Sequence, residues 1–216
     1  MKYRNARMAM VESQIRTNKV TDERLIAAFQ EIPRELFAPA HLRDLAYHDD
    51  DLPLGNGRYL TEPMILARLI QALQVTENDI VMILGGGTGY AAAILSRLAG
   101  TVIAADDAAS LQSSIPVWRQ LGMDTIVPVE GSLAEGCPRY APYDAILVDG
   151  ASEIVLPVWR DQLNEAGRLA LVHREDTVSR GALYTKHGNH WSHRALFDAW
   201  APVLPGLCHE KGFVFS

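Results

Sequence analysis

Three glycines, Gly85, Gly87 and Gly89, stand at alternate positions between the apolar run Ile80–Leu84 and a helix-forming stretch at 91–98. A strand that turns into a helix through glycines presents free backbone N–H groups to whatever lies in front of it. Glycine is needed there wherever φ is positive or a ligand lies against the main chain. A second apolar run at 102–105 ends in Asp106 and Asp107, twenty-one residues beyond Gly85. An acid at that place meets the hydroxyls of a nucleotide ribose. Asp106 is the candidate of the pair, because Asp107 should point to the other face of the strand end.

The spacing Gly-x-Gly-x-Gly is not that of dinucleotide enzymes, since Tyr90 stands where their last glycine belongs. It suits a ligand without a pyrophosphate, and S-adenosyl-L-methionine is the commonest nucleoside of that kind. A tight strand-to-helix turn with no ligand is the plain alternative.

The elements that must hold these residues follow from the rest of the pattern. Beyond the two apolar runs, strands are expected at 125–129, 143–150 and 167–173, with helices at 111–121 and 156–163 between them. Pro116 should break the first of these helices or delay its start. Such alternation makes the fold class α/β, a doubly wound and mostly parallel sheet. After residue 175 the segments 182–186, 191–197 and 212–215 read as shorter, antiparallel additions. His187, His190 and His193 flank a Gly-Asn turn. They suit a hairpin better than a zinc site, for which no acid or cysteine lies nearby.

Residues 1–50 read as a helical cover. Met8, Val11 and Ile15 recur at helical spacing, and Thr21-Asp22-Glu23 starts a second helix whose apolar face is Leu25, Ile26, Phe29 and Ile32. The stretch 46–63 is rich in Pro, Gly and Asp and is expected to be irregular, with Asp49, Asp50 and Asp51 mostly solvated rather than binding metal. Thr61, before Glu62 and Pro63, reads as the N-cap of the helix at 65–73, with a hydroxyl that could also face the glycine loop. The chain is thus expected to divide into a cover with a substrate-side loop (1–60) and an α/β core (61–216), in one compact domain.

Composition bounds the rest. The 216 residues carry a formal charge of −6, so no basic footprint for nucleic acid is expected. Two cysteines make no disulfide framework, and no apolar run is long enough to span a membrane. The expected location is the cytoplasm.

These blocks together resemble the protein-L-isoaspartate O-methyltransferase family, a class I S-adenosylmethionine-dependent fold. The resemblance is carried by Ile32-Pro33-Arg34-Glu35-Leu36-Phe37-Ala38-Pro39, by Ala46-Tyr47 with Leu52-Pro53-Leu54-Gly55, and by Gly57 to Pro63. Gly87-Thr88-Gly89-Tyr90, Tyr143 to Val148 and Asp161-Gln162-Leu163 with Ala166-Gly167-Arg168-Leu169 extend it. It implies S-adenosyl-L-methionine as cofactor and isoaspartyl-containing proteins as partners, whose misplaced carboxylate is esterified for repair. It also implies that Thr61, in place of a serine, orients the acceptor, and that Gly85, Gly87, Gly89, Asp106, Ser132 and Asp149 lie on the cofactor.

Four positions depart from that pattern. Ile83 replaces an acid supporting the cofactor loop, a charge-assisted hydrogen bond of about 1.5–3 kcal/mol. Ser132 replaces an acid beside the adenine, Glu62 follows Thr61 where glutamine is usual, and Asp149-Gly150 replaces a Thr-Ala pair. Extra acid near the acceptor favours a neutral or cationic substrate, and an eroded loop favours a non-catalytic binding role. Both remain alternatives to isoaspartyl methylation.

Overall fold

The structure is a computed structural model and describes residues 2–209; the strand expected at 212–215 lies outside them. Its centre is a sheet of seven strands: β3 (Ile80–Leu84), β4 (Thr101–Asp106), β5 (Ile126–Glu130), β6 (Tyr143–Ser152), β7 (Leu163–Glu175), β8 (Val178–His187) and β9 (His190–Asp198), ordered β5-β4-β3-β6-β7-β8-β9. The first five are parallel and the last two antiparallel. Order reverses at β3, whose neighbours β4 and β6 depart to opposite sides. Open α/β sheets form their ligand crevice at such a point, beyond the strands' carboxyl ends.

The central strands read as unbroken apolar runs because both faces are covered. Val81 and Ile83 enter one core with the N-terminal helices, while Met82 and Leu84 enter the other with Trp159 and Leu169. The first core is built largely by α1 (Lys2–Met10), α2 (Glu23–Glu31) and α3 (Pro63–Leu73). Asp22 starts α2 as expected, its carboxylate accepting from the N–H groups of Arg24 and Leu25.

Several local expectations need correction. A π turn at Val11–Ile15 shifts the helical register, so Met10, Val11 and Ile15 are buried and Met8 is exposed. The stretch expected to be irregular contains a hairpin, β1 (Leu52–Gly55) with β2 (Arg58–Leu60), turned by Gly55, Asn56 and Gly57 at positive φ. Asp51 is half-buried and accepts a bond from the Glu62 N–H at 2.7 Å. Pro116 lies inside an unbroken helix, α5 (Ala108–Gln120). Its fixed φ is already helical and the loss is one internal bond, offset by burial of Leu111 and Trp118. The segment expected to be helical at 156–163 is only the short α6 (Pro157–Asp161). The histidines sit on the β8–β9 hairpin, His187 opposite His190, with the His193 ring stacked on Tyr184.

The glycine loop is tied to α5 from below. Ser114 Oγ donates to the Gly87 carbonyl, and Trp118 Nε1 donates to the Gly89 carbonyl at 2.9 Å. Gly89 has φ +87° and heads α4 (Tyr90–Leu95), and a Cβ there would stand 2.4 Å from the Trp118 ring. Gly89→Ala should therefore destabilise the protein by about 2–4 kcal/mol, from left-handed strain plus overpacking, as read by urea unfolding.

Candidate functional site

Asp106 is the last residue of β4 and 4% exposed. Its Oδ2 accepts the Gly87 N–H at 2.9 Å, which fixes the loop after β3 to the end of the neighbouring strand. Its Oδ1 accepts the Asp107 N–H at 2.8 Å and pairs with Nη2 of Arg58. Asp107 caps α5 through the Ser110 N–H, and its side chain lines both cavities beside Arg58. A cavity of about 310 Å³ opens between Asp106, the Gly131-Ser132-Leu133 turn, Asn56 and Pro205, so Ser132 and Asp106 face one space. A second, of about 370 Å³, lies on the other side of Arg58, among Leu36 to Pro39, Leu54, Gly87, Thr88 and Ser110.

The three glycines do different jobs. Gly85, at φ +81°, lies under Leu204, whose methyl would be 2.7 Å from a Cβ, and beside Arg58 Nη1. The same leucine covers Gly150 at 2.8 Å. It belongs to a strap after β9 that pairs with β6, with bonds from the Ala151 N–H to the Pro202 carbonyl and from the Leu204 N–H to the Ala151 carbonyl. Gly87 is approached by Leu54 of the hairpin. Gly89 is closed against Trp118 and faces away from both cavities.

Thr61 and Asp149 are brought together from 88 residues apart: Thr61 Oγ1 donates to Asp149 Oδ1 at 2.7 Å, both groups buried. Thr61 is not the cap of α3. Glu62 holds that place, and the threonine hydroxyl is bonded to Asp149 instead. The threonine backbone is held by Arg34, wholly buried, which donates to the Thr61 and Ala46 carbonyls and stacks on Tyr90. Burial raises the Asp149 carboxyl to about 6, opposed by the Thr61 bond and by Arg34 and Arg58. Glu62 is raised to about 7 by burial and by Asp49 and Asp51.

Ile83 points into the core, so the loop has no tether from its own strand; Asp106, across the β3–β4 gap, supplies it instead. Residues 5–194 match the pattern of the family described as protein-L-isoaspartate(D-aspartate) O-methyltransferase. The chain belongs to this family. It is 40% identical over 172 residues to a protein-L-isoaspartate O-methyltransferase of Roseiflexus castenholzii, covering 79% of this chain and 78% of that one. With the protein of that name from Methanoculleus marisnigri, identity is 38%, covering 77% and 76%. Among solved structures, a protein-L-isoaspartate O-methyltransferase superposes with TM-score 0.81 at 24% identity, over 93% of this chain but only 66% of its own length. A Plasmodium falciparum structure, of a putative enzyme of that name in complex with S-adenosyl-L-homocysteine, superposes with TM-score 0.77 at 17% identity, over 91% and 96%. At these identities the two structures support the fold.

Within this methyltransferase fold, sequence reasoning missed three participants. Arg58 enters the resemblance only inside the block Gly57 to Pro63, yet it is 7% exposed and central. Its only local signal is a lone cation downstream of the acids Asp49, Asp50 and Asp51. Arg34 was noticed as part of a block, not as a buried charge. Leu204 gave no signal at all. Among the described residues no three His, Cys, Asp or Glu side chains are grouped to hold a metal ion, and no helix is long and apolar enough to cross a membrane.

The raised Asp149 carboxyl has a consequence for stability. A carboxyl that is harder to ionise when folded contributes stability below its ordinary range, and that contribution is lost as pH rises through about 6. Asp149→Asn keeps an acceptor for Thr61 and removes the titration. Urea unfolding between pH 4 and pH 7 should show the wild type losing roughly 2 kcal/mol more than the variant.

Proposed function

We propose that this chain transfers a methyl group from S-adenosyl-L-methionine to the free carboxylate of L-isoaspartyl residues in damaged proteins. Asp106 carries the reading: an acid at the end of β4, bonded to the glycine loop, facing a nucleoside-sized cavity beside Ser132. The residues present fit the nucleoside half of the cofactor. Gly87 at positive φ lines the cavity beside Arg58, Asp106 keeps one acceptor site open for the ribose, and Arg58 Nε is buried without a partner beside them. Leu204 fills the space in front of Gly85 and Gly150, so the strap bounds the loop on that side. Residues 1–60 would then serve as the substrate-side cover and 61–216 as the transferase core.

When bound, the cofactor supplies an electrophilic methyl on a cationic sulfur. An isoaspartyl carboxylate is already an anion, so the chain needs no general base. Its task is to hold that carboxylate in line and remove its water. Thr61 is the orienting group, and Asp149 governs which way its proton points. With Asp149 ionised, the Thr61 hydrogen is spent on Asp149 Oδ1, and only lone pairs are left for the acceptor. With Asp149 protonated, the acid donates to Thr61 and the hydroxyl hydrogen is free for the incoming carboxylate.

A second reading keeps the fold and changes the acceptor. The buried Asp149 beside Thr61 favours it, because a fixed negative charge there suits a neutral or cationic acceptor better than an anion.

Purified protein incubated with an isoaspartyl peptide and methyl-labelled cofactor should form a base-labile methyl ester. Absence of ester, with label appearing on a neutral or amine acceptor instead, would overturn the first reading in favour of the second. Asp106→Ala should lower cofactor affinity about ten- to a hundredfold, the worth of a charge-assisted bond. The rate with isoaspartyl peptide should fall as pH rises through about 6, where Asp149 ionises, and Asp149→Asn should flatten that fall.

A further inference from the structure

The Asp106 carboxylate is already nearly full. Two oxygens offer about four lone-pair sites, and three are taken, by Arg58 and the Asp107 N–H at Oδ1 and by the Gly87 N–H at Oδ2. The vicinal hydroxyls of a ribose bring two donors to such an acid, and one site is left. The two backbone N–H groups cannot leave without dismantling the loop and the start of α5. Arg58 can.

Arg58 also has somewhere to go. Its Nη2 is 3.6 Å from Asp107 Oδ2, on a side chain 55% exposed, whereas the Asp106 side chain is 5% exposed. Its Nε is buried and bonded to nothing. The guanidinium separates the two cavities, both of which it lines together with Asn56 and Asp107. It rides on β2, part of a two-stranded sheet that is separate from the main one and turned by three residues at positive φ. Such a hairpin is only marginally stable by itself. A small displacement of it therefore moves the arginine without disturbing β3 or β4.

We propose that Arg58 is a latch on the cofactor site, closed on Asp106 in the free protein and transferred to Asp107 when a ribose takes Asp106. The proposal rests on the reading of Asp106 as the ribose-facing acid. In the closed position the arginine competes with the nucleoside for the same oxygens, so apparent affinity is lowered by the cost of opening. In the open position it joins the acid that caps α5 and merges the two cavities around the glycine loop. The latch thus makes cofactor binding depend on the hairpin, which immediately precedes Thr61, and so links the cofactor side to the acceptor side.

Titration calorimetry with S-adenosyl-L-homocysteine tests this on the wild type, Arg58→Gln and Asp107→Asn, each checked for folding by circular dichroism. Arg58→Gln should bind about tenfold tighter or more, since a charge-assisted bond no longer has to be broken. Asp107→Asn, which keeps an oxygen for the Ser110 cap, should bind several-fold more weakly because the landing place has lost its charge. Both effects should appear with adenosine and vanish with 2′,3′-dideoxyadenosine, which leaves Asp106 alone. Equal or weaker binding by a folded Arg58→Gln overturns the latch and leaves the cofactor reading standing. If that variant does not fold, an unchanged affinity in Asp107→Asn overturns the latch. Binding by neither the wild type nor Arg58→Gln overturns both.

Discussion

The bond from the Gly87 N–H to the Asp106 carboxylate is the constraint on which the site depends. A glycine loop has little conformational preference of its own, so something outside it must select one shape. Here that group is a buried acid on the next parallel strand, placed by the β3–β4 register that sets Leu84 opposite Ala105. An unpaired carboxylate would be costly at 4% exposure, and Arg58 compensates it. One carboxylate consequently sets the loop's shape, carries the charge balance of the crevice, and faces the cavity beside Ser132.

The Thr61–Asp149 pair repeats this logic with the opposite balance. Arg34 is a wholly buried cation that holds the Thr61 backbone, and Asp149 is the nearby anion that holds its side chain. The two are not directly bonded, so Asp149 is under-compensated and its carboxyl is pushed up to about 6. A proton on Asp149 then decides whether Thr61 donates or accepts in the bond the two share. Departures that looked like erosion in the sequence are, in the fold, a rearrangement of charge. Asp106 holds the loop that Ile83 cannot hold, and Asp149 accepts the hydrogen of the threonine hydroxyl.

The parallel core was legible because its information is local. Apolar runs bounded by glycines and acids give strands, and glycines at alternate positions give the turn into α4. Local signals failed where tertiary packing outweighed propensity. Proline and three positive-φ residues hid the β1–β2 hairpin, Pro116 stayed inside α5, and a π turn moved Met8 out of the core. The site pairs were not readable at all. Arg58 meets Asp106 across 48 residues and Thr61 meets Asp149 across 88, and no periodicity encodes such partners. Leu204 reaches Gly85 only because the strap after β9 returns along β6.

The most direct measurement is a crystal structure of the protein soaked with S-adenosyl-L-homocysteine. The account predicts a nucleoside between Asp106 and Ser132, both ribose hydroxyls on the Asp106 carboxylate, and the Gly87 N–H still bonded to it. A nucleoside bound elsewhere, or one seated there with the ribose turned away from Asp106, would contradict it.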